Sequence, residues 1–78
     1  MMPFIHIRAF KKRDLETKTK AAQAIVKAAS AAMDAPEERF TVVFEDVEPE
    51  AWEKDVAQAV IEPLRDIIVV ENGKAMPY

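Results

Sequence analysis

Residues 3–10 alternate, with Ile5, Ile7 and Ala9 on one side and Phe4, His6, Arg8 and Phe10 on the other. A period of two is the signature of a strand, and here its second side is mixed rather than plainly polar. The spacing then changes. Leu15, Ala22, Ile25, Val26, Ala29 and Met33 recur at helical intervals, while Lys18, Lys20, Gln23, Lys27 and Ser30 fall mostly elsewhere. This predicts an amphipathic helix running to Met33, with Asp14 as its N-cap and Glu16 in the first turn. Ala21, Ala24, Ala28, Ala31 and Ala32 add helix propensity and allow close packing on a sheet. Asp34-Ala35-Pro36 ends the helix, because the residue before proline avoids helical backbone. Residues 39–46, with Phe40, Thr41, Val42, Val43 and Phe44, read as a second strand.

Strand, long helix and strand in this order predict a parallel β-α-β unit with a right-handed crossover. Two parallel strands do not make a stable sheet alone, so their free edges and second face call for a partner. From Glu48 the pattern is helical again, with Pro49 at a tolerated position and Trp52, Val56, Val60 and Leu64 every fourth residue. Pro63 either kinks this helix or begins another that runs to Val70. Ile67, Ile68, Val69 and Val70 also fit a short strand, a choice that periodicity does not make over so few residues. Asn72-Gly73 is a stop signal, and the residues after Lys74 read as a loose tail or an arm onto a partner. The expected class is α+β: two parallel strands, a long crossover helix and a C-terminal helical segment. All of it lies in one domain over residues 1–78, with the sheet completed by dimerisation.

Composition supports self-association. Half of the 78 residues are apolar, more than a lone domain of this size hides easily. There is no cysteine, so neither disulfides nor thiol chemistry are available. His6 is the single histidine, which disfavours a metal site of the usual nitrogen or sulfur type. The acidic run Glu45, Asp46, Glu48 and Glu50 lacks calcium-loop spacing and reads as a solvated turn. A net charge of −3 argues against nucleic acid as partner. No apolar run approaches a membrane span, and the N-terminal stretch alternates rather than resembling a signal peptide. The expectation is a cytoplasmic protein.

The candidate chemistry lies at the start of the chain. In Met1-Met2-Pro3, loss of the two methionines leaves Pro3 with a secondary amine as its terminal nitrogen. Such an amine moves protons or attacks carbonyls when neutral. A proline at the first position of a strand is also an ordinary structural choice. Lys11-Lys12-Arg13 stands directly before the helix N-terminus, where cations and unpaired N–H groups together suit an anion such as a carboxylate. The plain alternative is a solvated basic turn offset by Asp14 and Glu16. His6 reads as packing or hydrogen bonding, and Trp52 as a core or interface anchor.

Pro3 at the mature start, the β-α-β unit, Arg13 at the helix entrance and Asp34-Ala35-Pro36 at its exit resemble the 4-oxalocrotonate tautomerase superfamily. The segment from Pro49 to Trp52 and the long extension through Pro63 look like the PptA-type tautomerases. The resemblance implies keto–enol proton transfer on a small 2-oxo acid, with Pro3 as general base and no cofactor. It gives Arg13, with Lys12, the task of holding a carboxylate and the enolate oxygen. Phe10, Phe40 and Trp52 become the apolar wall of the pocket. Nearby cations and apolar walls both disfavour an ammonium, which keeps the Pro3 amine neutral. The family's second arginine falls at Thr41, with Arg39 two residues away. A phenylpyruvate-like substrate with one carboxylate and an aromatic group therefore fits better than a dicarboxylate. The resemblance further implies a homo-oligomer, a dimer rather than a hexamer, whose site draws on both subunits.

Two other readings stay open. One is a hydrolytic, dehalogenase-like relative in which Glu45 or Asp46 activates water. The other is a non-catalytic self-associating β-α-β module.

Overall fold

The computed structural model describes residues 2–77. Strand β1, Phe4–Phe10, leads into helix α1, Leu15–Met33, and a single 3₁₀ turn, Glu37–Arg39, precedes strand β2, Thr41–Val47. The strands are parallel, in a register that pairs Phe4 with Thr41 and Phe10 with Val47. The expected β-α-β unit is therefore present. One boundary moves: Arg39 was expected inside the second strand and lies instead in the turn before it. The turn closes on itself through Arg39 N–H to the Pro36 carbonyl and Phe40 N–H to the Glu37 carbonyl, both 3.1 Å. Those local bonds compete with the ladder and delay its start to Thr41.

Both ends of α1 follow from local chemistry. Asp14 has extended backbone, and its carboxylate accepts from Thr17 N–H at 2.8 Å, satisfying one of the free donors of the first turn. At the other end Asp34 turns left-handed, φ 53° and ψ 51°, and its N–H donates to the Ser30 carbonyl. The Ala35 N–H reaches the same carbonyl at 3.1 Å, and the Ser30 hydroxyl donates to the Ala35 carbonyl. Ala35 is buried as a result, before Pro36 leads the chain towards β2.

Register assigns the two sheet faces. Val42 and Phe44 line a groove with α1 residues, and Lys18 of α1 binds Asp46 at 3.0 Å. With their β1 neighbours Ile5, Ile7 and Ala9 these residues form the helix side. The other side carries Phe4, His6, Arg8 and Phe10 beside Thr41, Val43 and Glu45.

These elements form one compact unit ending at Glu48; a second begins at Pro49. It opens with a 3₁₀ turn, Pro49–Ala51, and continues as a helical segment, Glu53–Ile61, whose bonding is wider than α-helical. The Glu62 N–H reaches the Ala57 carbonyl, an i to i−5 bond. Pro63 does not kink a continuous helix: it sits in the first turn of a separate 3₁₀ segment, Glu62–Ile67, where its missing N–H has no ladder to break. Val56 is buried in this unit.

Among the described residues, Lys74 to Met76 are not a loose tail. Strand β3, Val70–Glu71, pairs antiparallel with β4, Lys74–Ala75, and Met76 N–H donates to the Val69 carbonyl at 2.8 Å. Asn72 and Gly73 form the connecting turn, both with positive φ, 52° and 79°. This is the two-residue hairpin loop for which Asn-Gly is the strongest short-range signal. Arg65 ties the preceding segment to the hairpin through Glu71 and also binds Glu62, each at 2.6 Å.

Candidate active site

The two residues given the central roles lie at opposite ends of β1. Pro3 immediately precedes the strand, half-buried, and its carbonyl accepts from Thr41 N–H at 3.1 Å. Arg13 follows the strand, three residues past its end. Seven extended residues intervene, which at about 3.3 Å each separate the two by roughly 20 Å or more. A single chain therefore does not bring Pro3 and Arg13 into one site.

At the Pro3 end, register places Phe40 opposite Pro3, one step before the Phe4–Thr41 pair. Phe40 is half-buried and extended there, φ −87° and ψ 137°. Arg39 is the next residue back, exposed, and makes no ion pair among the described residues. It is thus an available guanidinium at the end of the sheet where Pro3 sits.

At the far end the basic cluster is partly occupied. The Lys11 N–H donates to the Val47 carbonyl at 2.9 Å, and its ammonium lies 3.8 Å from Glu48. The Arg13 guanidinium donates to the Phe10 carbonyl at 3.3 Å and is half-buried. Lys12 is exposed, with no ion pair among the described residues. Phe10, 42% exposed, closes this end of the strand. The Thr17 hydrogen bonds hold the Asp14 carboxyl below its ordinary range, so it stays ionised beside these cations. Trp52 lies in the second unit, half-buried, at the N-cap of the helical segment.

A constellation that sequence reasoning missed sits on the sheet face away from α1. One oxygen of Glu45 meets His6 Nε2 at 2.7 Å and Arg8 Nε at 3.1 Å. The His6 hydrogen bond, then that of Arg8, lowers the Glu45 pKa from its ordinary value. The His6 ring also meets Phe4 edge-on, with centroids 6.1 Å apart. Glu45 lies inside β2, as the strand reading of residues 39–46 has it, and pairs with Arg8 rather than belonging to the solvated turn that the acidic run suggests. The detectable signal was the shared alternation of the strands, which places Arg8 and Glu45 side by side once register is known.

The groove between α1 and β2 holds about 350 Å³ and is lined by Leu15, Lys18, Thr19, Ala22, Gln23, Val42 and Phe44. None of the proposed site residues borders it.

A family model described as tautomerase enzyme matches residues 3–61. The chain belongs to the tautomerase family. No curated relative matches it. Membership supports isomerase chemistry of the tautomerase type, and the match opens at Pro3 itself. It spans both strands, α1 and the helical segment as far as Ile61. None of the described helices is long and apolar enough to cross a membrane.

Proposed function

We propose that this chain catalyses keto–enol proton transfer on a small 2-oxo acid, phenylpyruvate-like in shape, with Pro3 as base once Met1 and Met2 are removed. The observation that carries this reading is the placement of Pro3. It leads β1, the family match begins on it, and its carbonyl is tied to Thr41. A secondary amine so anchored is held in a fixed direction relative to the sheet. In the ketonising direction the Pro3 nitrogen takes the enol hydroxyl proton as the carbon–oxygen double bond forms. The resulting prolinium returns a proton to the adjacent carbon, so the substrate is isomerised with nothing gained or lost.

Cations serve this reaction by binding the carboxylate and the oxygen on which charge develops. Arg39 is placed to do so from the same end of the same chain. Arg13 and Lys12 reach Pro3 only from another copy, so the active form is a homo-oligomer, and a dimer suffices. Phe40 opposite Pro3 supplies an apolar surface that suits an aromatic side group.

The test is ketonisation of phenylenolpyruvate, followed by ultraviolet absorbance, on chain whose mass shows that it starts at Pro3. Activity in this form and none in chain that keeps the methionines is the expected result. In the longer form the Pro3 nitrogen is an amide without a basic lone pair. Equal activity in both rules out the proline base.

The second reading, a non-catalytic self-associating module, is favoured by exposed apolar side chains on the open sheet face: Phe4 at 61% and Val43 at 39%. Pro3→Ala separates the two, since self-association survives it and catalysis by the secondary amine does not.

A further inference from the structure

We propose that Asn72 is a site of self-modification: the Gly73 amide nitrogen closes on its side chain to a succinimide, and the Arg65–Glu71 pair sets the rate. The site lies beyond residues 3–61, the part matched to the family, and is independent of the Pro3 chemistry.

Composition isolates it. Asn72 is the chain's single asparagine and stands directly before its single glycine, Gly73. The turn accounts for the choice of residues, since both positions have positive φ. The same choice makes a reactive pair. Gly73 has no Cβ to shield its nitrogen, and the space where one would stand is open. Both residues are exposed. Neither the Gly73 N–H nor the Asn72 side-chain amide has a hydrogen-bond partner among the described residues. Of their neighbours, Glu71 is engaged by Arg65, which leaves the exposed Lys74 ammonium to favour the amide anion.

The reaction needs only water. The Gly73 nitrogen gives up its proton and bonds to the Asn72 side-chain carbonyl carbon. The bond from that carbon to the amide nitrogen breaks, and ammonia leaves with the proton. Water then opens the five-membered ring at one of its carbonyls. One opening gives an aspartyl residue; the other gives isoaspartate, whose backbone runs through the former side chain. The net change is one ammonia replaced by one water, and one more negative charge on a chain of formal net charge −3.

The closed hairpin holds the reacting atoms apart. Positive φ at both positions makes the loop type I′, whose first central residue turns the next nitrogen away from its own side chain. Attack therefore requires rotation about the Asn72 Cα–C bond, which unpairs Glu71 from Lys74. Each strand has two residues, Val70–Glu71 and Lys74–Ala75, with one further bond from Met76 N–H to the Val69 carbonyl. So short a ladder opens locally, without the rest of the chain. Arg65 opposes the opening, because its guanidinium holds both Glu71 and Glu62 at 2.6 Å. It is a positioning residue that keeps the turn closed and the ring slow to form.

The two products differ in effect. An aspartyl residue keeps the turn, since Asp-Gly also suits type I′. Isoaspartate adds a backbone carbon to a two-residue loop, so β3 and β4 lose their register and Glu71 leaves Arg65.

The test incubates the full chain in warm, mildly alkaline buffer and follows it by peptide mapping, with the same chain in urea as the open-turn reference. Aspartyl and isoaspartyl forms of the peptide carrying residues 71–74 are expected, more slowly in the native chain than in urea. Arg65→Gln should raise the native rate about 2- to 5-fold relative to its own rate in urea, the scale of an exposed ion pair. Its helical circular dichroism should stay unchanged. Should Arg65→Gln fail to fold, Glu71→Gln removes the same tie and is expected to give the same rise. Hydrogen exchange at the Met76 amide should quicken in the isoaspartyl fraction and stay slow in Asn72→Asp. An Asn72 that stays intact in the native chain, whether or not it reacts in urea, overturns the site. A native rate unmoved by either variant overturns the role of Arg65. Equal rates in native chain and urea overturn the control by the hairpin.

Discussion

The amide of Thr41 donates to the carbonyl of Pro3 at 3.1 Å, which joins the residue leading β1 to the first residue of β2. That bond fixes the direction in which the Pro3 ring leaves the sheet. Thr41→Pro removes the donor while the preceding Phe40 already has a backbone compatible with proline, φ −87° and ψ 137°. We expect a loss of about 1 kcal/mol in chemical denaturation. The kcat for phenylenolpyruvate should fall with it, because the base is no longer held. Unchanged kcat in a destabilised variant would separate the anchor from catalysis.

Arg39 and Arg13 are expected to act from different chains on one carboxylate. Replacing either by Ala should raise KM by about 10-fold or more, the usual scale for a charge-assisted hydrogen bond. In mixtures of each variant with Pro3→Ala, only Arg13→Ala should be complemented, since Arg39 and Pro3 of a site belong to the same chain. Steady-state kinetics on the mixtures decides this.

The Glu45 carboxyl is held below its ordinary pKa by the His6 and then the Arg8 hydrogen bonds. A lowered folded-state value means that the unfolded chain binds its proton first as pH falls. Its contribution is therefore fully present above the ordinary carboxylate value and is lost as pH drops through the lowered one. Thermal melts across this acidic range should show a shallower loss for Glu45→Gln than for wild type. Parallel curves would mean that the cluster has no stabilising role.

Asp14 follows the same sign through its hydrogen bonds from Thr17. Asn keeps the capping acceptor and discards the charge, whereas Ala discards both. Circular dichroism should rank helicity as wild type, then Asp14→Asn, then Asp14→Ala, with the wild-type advantage over Asn vanishing in acid. An equal drop for Asn and Ala would point to charge alone.

Gly73 has φ +79° with open space around a hypothetical Cβ. Gly73→Ala meets no clash, so its cost is purely conformational, about 1 kcal/mol. Amide hydrogen exchange should show lost protection confined to the Lys74–Ala75 pairing. Global unfolding of the chain by this one change would contradict the hairpin's local character.

Much of this was legible in the residues. The period-two pattern around Ile5 and Ile7, the helical repeat from Leu15 to Met33, the Asp14 cap and the stop at Asp34-Ala35-Pro36 are local signals. Each is set by backbone sterics and hydrogen bonds within a few residues, so the chain states them directly. The proline at position 3 and the basic cluster before α1 were visible for the same reason. Tertiary structure decided what depends on register and direction. It moved Arg39 out of β2 into the Pro3 end, brought Glu45 to His6 and Arg8, and closed the hairpin at Asn72-Gly73. Pro3 and Arg13 stand at opposite ends of β1, a separation that the period-two pattern over residues 3–10 already carries. Closeness in sequence does not imply closeness in space when the intervening residues are extended, because each one carries the chain about 3.3 Å further away.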